Sequence, residues 1–336
     1  MLTVREISEK HIFEDGLTKI APKERTFLQS WEYGELQKKL GYDPLYLGLF
    51  QGEKLIKSWL FVLFRAKRGT YLFSPYGVFD EVEMAILMPF LKGYSKKHAV
   101  DFLRFSPLLT NSPEHIALFQ SLGFRDAPVH LMHPELLWLL DISKTEDEIL
   151  AQMRKNTRYY VKRAEKDGVT IESGSTQELL DKFYDIHMET AKRHGFVPYS
   201  KKFLDAQLEV FEPLEKIKIF LGIYQGKPIS AAVIMYYGDE GVYHHGASLS
   251  DYSKIPASYL IQWEAILEAK RKGISTYNFW GVVENAPKHP WAGLSFFKQG
   301  FGGEGRYILH CQDYPITPKY WFNWLVETVR RWKRGY

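Results

Sequence analysis

Phe296-Phe297-Lys298-Gln299-Gly300-Phe301-Gly302-Gly303 decides how the chain divides, because an earlier stretch, Phe119-Gln120-Ser121-Leu122-Gly123-Phe124, echoes it without the lysine. Two further echoes precede it. Leu47-Gly48-Leu49-Phe50-Gln51-Gly52 returns as Leu221-Gly222-Ile223-Tyr224-Gln225-Gly226, and Asp101-Phe102-Leu103-Arg104-Phe105 falls on Ser275-Thr276-Tyr277-Asn278-Phe279 at the same offset. The phenylalanine echo is displaced by only three residues more. A long fixed period means one folding unit used twice, so the chain reads as two homologous halves. Equivalent positions that differ mark what one half has acquired, and Ser121 against Lys298 is such a pair.

A length of 336 residues accommodates two ordinary domains, each able to bury a core. Hydrophobic residues at 45% and charged residues at 25% are typical of a globular chain, while 15% aromatics is high and suits large cores or stacking surfaces. A net charge of +4 is too mild to declare a nucleic-acid binder from composition. Cys311 is the sole cysteine, which excludes an intramolecular disulfide and a cysteine-based zinc site. The N-terminus has no cationic segment leading into an apolar run, and the longest apolar runs, Trp59 to Phe64 and Leu136 to Leu140, are too short to span a bilayer. The expectation is a cytoplasmic protein.

Hydrophobic spacing in the first half predicts a helix over 24–39, strands over 45–50, 55–64 and 70–73, a helix over 81–98, a strand over 100–105, a helix over 113–122 and a strand over 136–140. The second half opens on Thr145-Glu146-Asp147-Glu148, a capping-box signature for a long helix that breaks near Asn156-Thr157 and resumes to Lys166. After it come a strand over 169–172, helices over 177–193 and 200–211, strands over 217–224, 229–237 and 242–247, and a helix over 256–272. A strand over 277–280, a short helix over 294–300, a last strand over 305–311 and a final helix over 320–334 complete the chain. Both halves are mixed α/β units. Their shared order of strand, hairpin, strand, helix, strand, helix, strand is that of an acetyltransferase-type N-acyltransferase unit.

Seven stretches stand out in order: Met153-Arg154-Lys155-Asn156-Thr157-Arg158-Tyr159, Gly168-Val169, His194-Gly195-Phe196, Tyr243 to Ser248, Tyr259 to Trp263, Tyr277 to Gly281, and Phe296 to Gly303. Through them the chain resembles the Fem family of peptidoglycan-bridge aminoacyltransferases. The resemblance covers the second half densely and the first loosely. The resemblance implies two tandem acetyltransferase (GNAT)-like domains, 1–141 with 315–336 on the acceptor-precursor side and 142–314 on the aminoacyl-tRNA side. It also implies transfer of an amino acid from aminoacyl-tRNA to an amine of a peptidoglycan precursor, the muramyl pentapeptide in lipid-linked or nucleotide-linked form.

Under that resemblance Lys298 is a catalytic residue, an ammonium that stabilises a developing oxyanion or binds substrate phosphate. Beside it Phe297 is a substrate contact. His245 stands where the family usually has a substrate-facing tyrosine, and a histidine there adds a base for the attacking amine. Strict alternation would put Tyr243, His245 and Ala247 on one strand face, with Val242, His244 and Gly246 on the other. Tyr199 and Lys202 fall near another substrate-contacting pair. Gln37 replaces a phosphate-contacting lysine, with Lys38 adjacent, and Ser106 replaces an acidic residue; these departures count against the usual nucleotide-linked acceptor. Arg154, Lys155, Arg158, Lys162, Arg163 and Lys166 form a cationic helical stripe interleaved with Tyr159 and Tyr160, suited to a tRNA backbone and an unpaired end.

The final helix carries Phe322, Leu325, Val329 and Trp332 on one side and ends Arg330-Arg331-Trp332-Lys333-Arg334. It reads either as packing on the first domain or as an interfacial anchor giving peripheral membrane contact at the inner face. No P-loop, GxGxxG turn or HExxH spacing is present. The acetyltransferase turn that holds the coenzyme A pyrophosphate is missing too, so neither metal nor cofactor is expected. An acyl-CoA-dependent acyltransferase of the same fold and a noncatalytic RNA-binding protein are the alternatives.

Overall fold

The computed structural model describes residues 1–129 and 132–334. Two compact units emerge, Met1–Glu135 with Tyr307–Tyr336, and Leu136–Arg306.

The first unit starts with β1 (Leu2–Glu6), α1 (Lys10–Thr18) and α2 (Trp31–Lys39). The helix expected over 24–39 is shorter because Ser30 caps α2 at the Tyr33 amide, while Pro22–Glu24 and Phe27–Gln29 form single 3₁₀ turns before it. Gln29 holds this entry in place: its amide nitrogen donates to the Leu60 and Pro75 carbonyls and its oxygen accepts from the Leu60 amide. Then come β2 (Asp43–Gln51), β3 (Lys54–Ala66), β4 (Gly69–Pro75), α3 (Glu81–Lys97), β5 (Phe102–Ser106), α4 (Pro113–Ser121) and β6 (Arg125–Asp126). The period-2 rows Leu45, Leu47, Leu49 and Trp59, Phe61, Leu63 lie on one sheet face and form a single core with Met84, Leu87, Met88 and Leu91 of α3 and Phe119 of α4.

The second unit runs β7 (Leu136–Asp141), α5 (Glu146–Gln152), α6 (Lys155–Lys166), β8 (Thr170–Gly174), α7 (Gln177–His194), α8 (Lys201–Phe211), β9 (Ile217–Tyr224), β10 (Lys227–Tyr237), β11 (Glu240–Ser248), α9 (Ala257–Arg271), β12 (Thr276–Gly281), α10 (Ala292–Gln299) and β13 (Glu304–Tyr307). Thr145 and Glu148 do form the capping box. The break comes at Met153 and Arg154, not at Asn156. There the Arg154 amide donates to the Gly300 carbonyl at 2.8 Å, and Arg158 Nη1 gathers the carbonyls of Leu150, Ala151 and Met153 at the frayed end of α5. The core joins Val161 and Ala164 of α6, Leu260, Ile261 and Ala265 of α9, and Ile234 of β10 with Phe279 and Phe301.

The strand expected over 305–311 is two strands in different sheets. β13 pairs beside β7, whereas β14 (Gln312–Pro315) pairs with β5, followed by α11 (Lys319–Arg334). His310, between them, bonds Glu135 and, at 2.9 Å, the Ala127 carbonyl, which anchors the crossing segment in the first unit. The first sheet is ordered β1-β2-β3-β4-β5-β14-β6 and the second β8-β9-β10-β11-β12-β7-β13. Strand for strand these are the same order, and each sequence echo falls on equivalent elements: β2 with β9, β5 with β12, α4 with α10. The unit boundaries therefore differ from the 1–141 and 315–336 reading. Leu140 pairs with Tyr277 in the second sheet, and Gln312 pairs with Phe105 in the first, so β7 and β14 each complete the sheet of the other half of the sequence.

Candidate active site

The two central parallel pairs differ, and the difference makes a site. β4 and β5 stay paired over five positions, from Tyr71↔Phe102 to Pro75↔Ser106. β11 and β12 pair only from Glu240↔Thr276 to Val242↔Asn278. Beyond that point each strand is turned aside. On β12 the Asn278 side-chain oxygen accepts from the Trp280 amide at 2.8 Å while Trp280 takes φ 65°, and pairing resumes on the other side at Gly281↔Leu137. On β11 the register against β10 slips, so that Val233 faces His245 and its neighbour Ile234 faces Tyr243. His244 is the extra residue of a bulge.

Lys298 lies where the strands part. Its side chain is 5% exposed, and Nζ donates to the Gly281 carbonyl at 2.7 Å and sits 5.7 Å from the Tyr243 ring. Gly281 ends β12 and Tyr243 is the first β11 residue past the last pair. Among the described residues no carboxylate pairs with this ammonium, and burial pushes its pKa down to about 7. Ser121, its counterpart in the repeat, is exposed and, among the described residues, bonds only within its own helix, to the Leu118 carbonyl.

The glycines after Lys298 fix its approach. Trp138 Nε1 donates to the Gly302 carbonyl at 2.7 Å, and a Cβ on Gly303, which has φ 90°, would lie 2.2 Å from the Leu139 carbonyl oxygen. Gly303→Ala is accordingly expected to cost about 3 kcal/mol in urea unfolding, through left-handed strain and a backbone clash together. A change under 1 kcal/mol would show that the turn relaxes freely. Phe297 packs edge-on against Tyr259 at 4.8 Å and Phe301 at 5.4 Å, which orients α10.

His245 does not share this site. The bulge reverses the alternation between Tyr243 and His245, so Tyr243 packs with the α6–α9 core while His245 enters the α7–α8 side. There it meets Tyr199 at 4.7 Å and His244 at 4.0 Å, and Nε2 bonds Gln207 at 3.3 Å. Burial, with His244 and His187 alongside, holds its pKa well below the ordinary histidine value, so the ring is neutral there. The expectation of a shared face fails because strict alternation takes no account of the bulge. One signal is present: a Cβ on Gly246 would fall 1.8 Å from Tyr243 Oη, and a glycine within a strand marks such a close approach. His187 is also buried in this cluster, neither ring nitrogen having a hydrogen-bond partner among the described residues. Even so, among those residues no group of His, Cys, Asp or Glu could hold a metal ion.

The other sequence candidates are scattered. Tyr199 joins His245, whereas Lys202 points to solvent on α8. In the first unit Gln37 is buried in α2 and Lys38 is exposed near Glu35. Ser106 is buried against His133 Nδ1 at 3.3 Å, and burial pushes His133 down to about 3. Of the α6 stripe, Lys155, Lys162 and Lys166 face solvent. Arg154 stacks on Phe296 at 4.5 Å, Arg163 pairs with Asp167 at 3.1 Å, and Arg158 is withdrawn from the stripe by its three carbonyls.

The FemAB family model matches residues 18–225 and 214–328. The chain belongs to the FemAB family. Among curated relatives it is 27% identical over 190 residues to UDP-N-acetylmuramoylpentapeptide-lysine N(6)-alanyltransferase of Weissella viridescens, covering 54% of this chain and 56% of that one. It is 21% identical over 271 residues to a lipid II:glycine glycyltransferase of Staphylococcus epidermidis, covering 60% and 65%. The FemAB chain thus spans between about half and two thirds of the length of these relatives. Of solved structures, FemX superposes with a TM-score of 0.81 at 16% identity, covering 96% of this chain and all of that one. A tandem GNAT protein of clavulanic acid biosynthesis superposes at 0.58 with 10% identity, covering 95% and 99%. The fold is two tandem GNAT-like units with mixed sheets.

Proposed function

We propose that this FemAB protein is an aminoacyltransferase that moves an amino acid from aminoacyl-tRNA to an amine of a peptidoglycan precursor. The observation that carries the reading is Lys298, a buried amine with no carboxylate partner among the described residues, held at the parting of β11 and β12. The relatives named above act on muramyl pentapeptide and lipid II, and this supports the acceptor class. In the reaction the acceptor's neutral amine nitrogen attacks the ester carbonyl carbon. A C–N bond forms, the C–O ester bond breaks, and the ribose oxygen leaves with the electron pair and takes up the proton the amine gives up. Lys298, protonated, donates to the carbonyl oxygen as negative charge develops there. The rest is alignment of reactants, since the ester is already activated.

Lys155, Lys162 and Lys166, exposed along α6, would follow the tRNA backbone, and the reaction would run on the cytoplasmic side with peripheral contact to the membrane. The test supplies charged tRNA carrying a labelled amino acid with either lipid-linked or nucleotide-linked muramyl pentapeptide. Label is expected to pass to the precursor. Label that stays on the tRNA, while labelled acyl-CoA is consumed, would replace this reading with the acyl-CoA one. Lys155→Glu with Lys162→Glu is expected to raise the KM for charged tRNA about tenfold at low salt with kcat kept, and to flatten the salt dependence.

A further inference from the structure

α11 is docked inside out. Its polar residues face the first unit: Asn323 is buried, and Glu327 reaches Arg104 at 2.8 Å beside Tyr320, which is fully buried and bonds Asp313 at 3.3 Å. The apolar residues expected to pack are outside. Phe322 is 58% exposed, Leu325 56%, Val329 41% and Trp332 81%, and Trp321 beside them 46%. At about 100° per residue these five form one stripe about 100° wide along a helix about 24 Å long. Arg330, Arg331 and Lys333 are exposed around its C-terminal end, and Arg125 lies 4.6 Å over the Trp321 ring at the other. The helix has one acidic residue, Glu327, and it is spent on Arg104.

We propose that α11 is a docking helix for an anionic lipid surface. An aromatic and aliphatic stripe bordered by arginine and lysine, with the charged heads free to reach phosphates while the rings sit among acyl chains, is what such an interface requires. The charges also select against a second copy of the chain as occupant. Pairing two stripes would bring cationic borders together with no exposed acidic residue on the helix to meet them, whereas a negatively charged leaflet complements every one. No helix among the described residues is long and apolar enough to cross a membrane, so the contact is a surface one. The inference stands apart from the chemistry of the second unit.

The full chain is mixed with phosphatidylcholine vesicles containing about one third phosphatidylglycerol, or none, and sedimented. Binding is expected to the anionic vesicles only and to be lost near ~0.5 M NaCl, where charge attraction is screened. Phe322→Ser with Trp332→Ser, and separately Arg331→Glu with Lys333→Glu, should each weaken it at least tenfold with the melting curve unchanged, since all four side chains are exposed. Equal binding to both vesicles, no binding, or variants that bind like the parent would overturn the proposal. So would a dimer in sedimentation velocity that the Phe322 and Trp332 changes dissociate, which would assign the stripe to self-association. Transfer to a soluble nucleotide-linked acceptor, measured on the same variants, is expected to be unchanged, which keeps this outcome separate from that of the proposed reaction.

Discussion

Lys298→Met is expected to slow aminoacyl transfer about 10³-fold and to leave the protein more stable at neutral pH. The two effects have one cause. Burial lowers the lysine from its ordinary 10.5 to about 7 in the folded state. Below about pH 7 folded and unfolded chains both carry the proton, and the folded state bears the full cost of the buried charge. Between about 7 and 10.5 the unfolded chain holds a proton that the folded chain has released. Stability of the parent therefore rises with pH, by up to about 1.4 kcal/mol per unit. Above 10.5 the effect is gone. Methionine has similar reach and no charge to desolvate, but it leaves the Gly281 carbonyl without its donor. The net gain expected at pH 7 is about 2 kcal/mol; it shrinks by about 1.4 kcal/mol per pH unit, crosses zero near about pH 8.5, and is a net loss by pH 10.5, where only the missing donor counts. Transfer should fall about 10³-fold, as for loss of an oxyanion donor. Urea unfolding across pH and single-turnover transfer measure the two halves of the prediction. A variant less stable than the parent at pH 7, or one transferring within tenfold of it, would remove Lys298 from the oxyanion-stabilising role.

Asp313→Ala should cost about 4 kcal/mol, confined to the first unit. Asp313 is fully buried and receives two bonds of 2.7 Å from Arg104, itself 2% exposed and bonded also to Glu327. The guanidinium lies 5.0 Å from the Phe102 ring, with little water to replace a lost partner. Removing one member of such a pair strands the other charge, which typically costs 3–5 kcal/mol. For a unit of this size that lowers its melting transition by about 10 °C, while the transition of Leu136–Arg306 stays in place. Hydrogen exchange on β5, β14 and α11 locates the loss. Arg104→Met combined with Asp313→Leu and Glu327→Gln should recover most of it, because no charge of the Asp313–Arg104–Glu327 group is then left stranded. If the single change cost under 1 kcal/mol, the pair would be tying nothing together.

What can be read from the chain is whatever repeats locally. The echoes Leu47 to Gly52 and Leu221 to Gly226 place equivalent hairpin turns, since both end at a glycine with positive φ, Gly52 at 62° and Gly226 at 76°. The Thr145 cap and the strand and helix periods of the core depend on neighbours within a few residues, and they are legible for that reason. The failures involve contacts that hydrophobic periodicity does not encode, many of them between residues distant in sequence. Nothing in the periodicity tells Leu136–Asp141 to pair with β12 instead of closing its own half, or tells Arg158 that the carbonyls of α5, a turn or two back, need it. The face of α11 is the sharpest case. Its amphipathic pattern is plain in the sequence and its packing is the inverse of what that pattern suggests, because a buried Arg104 demands carboxylates and draws Glu327 inward with the polar side of the helix. At the site, the Ser121 contrast points to Lys298, while the bulge at His244 hides Tyr243, which alternation turns to the same side as His245.

The exchange of β7 and β14 also sets an order of assembly during synthesis. Leu136–Arg306 is one continuous segment, and all seven strands of its sheet, to within a residue, have been made by the time Tyr307 emerges. The first sheet lacks the strand between β5 and β6 until Gln312–Pro315 has followed. Although domains generally mature from the N-terminus as they leave the ribosome, in this chain the later-made unit can close first, and the residues translated earliest wait for those translated last.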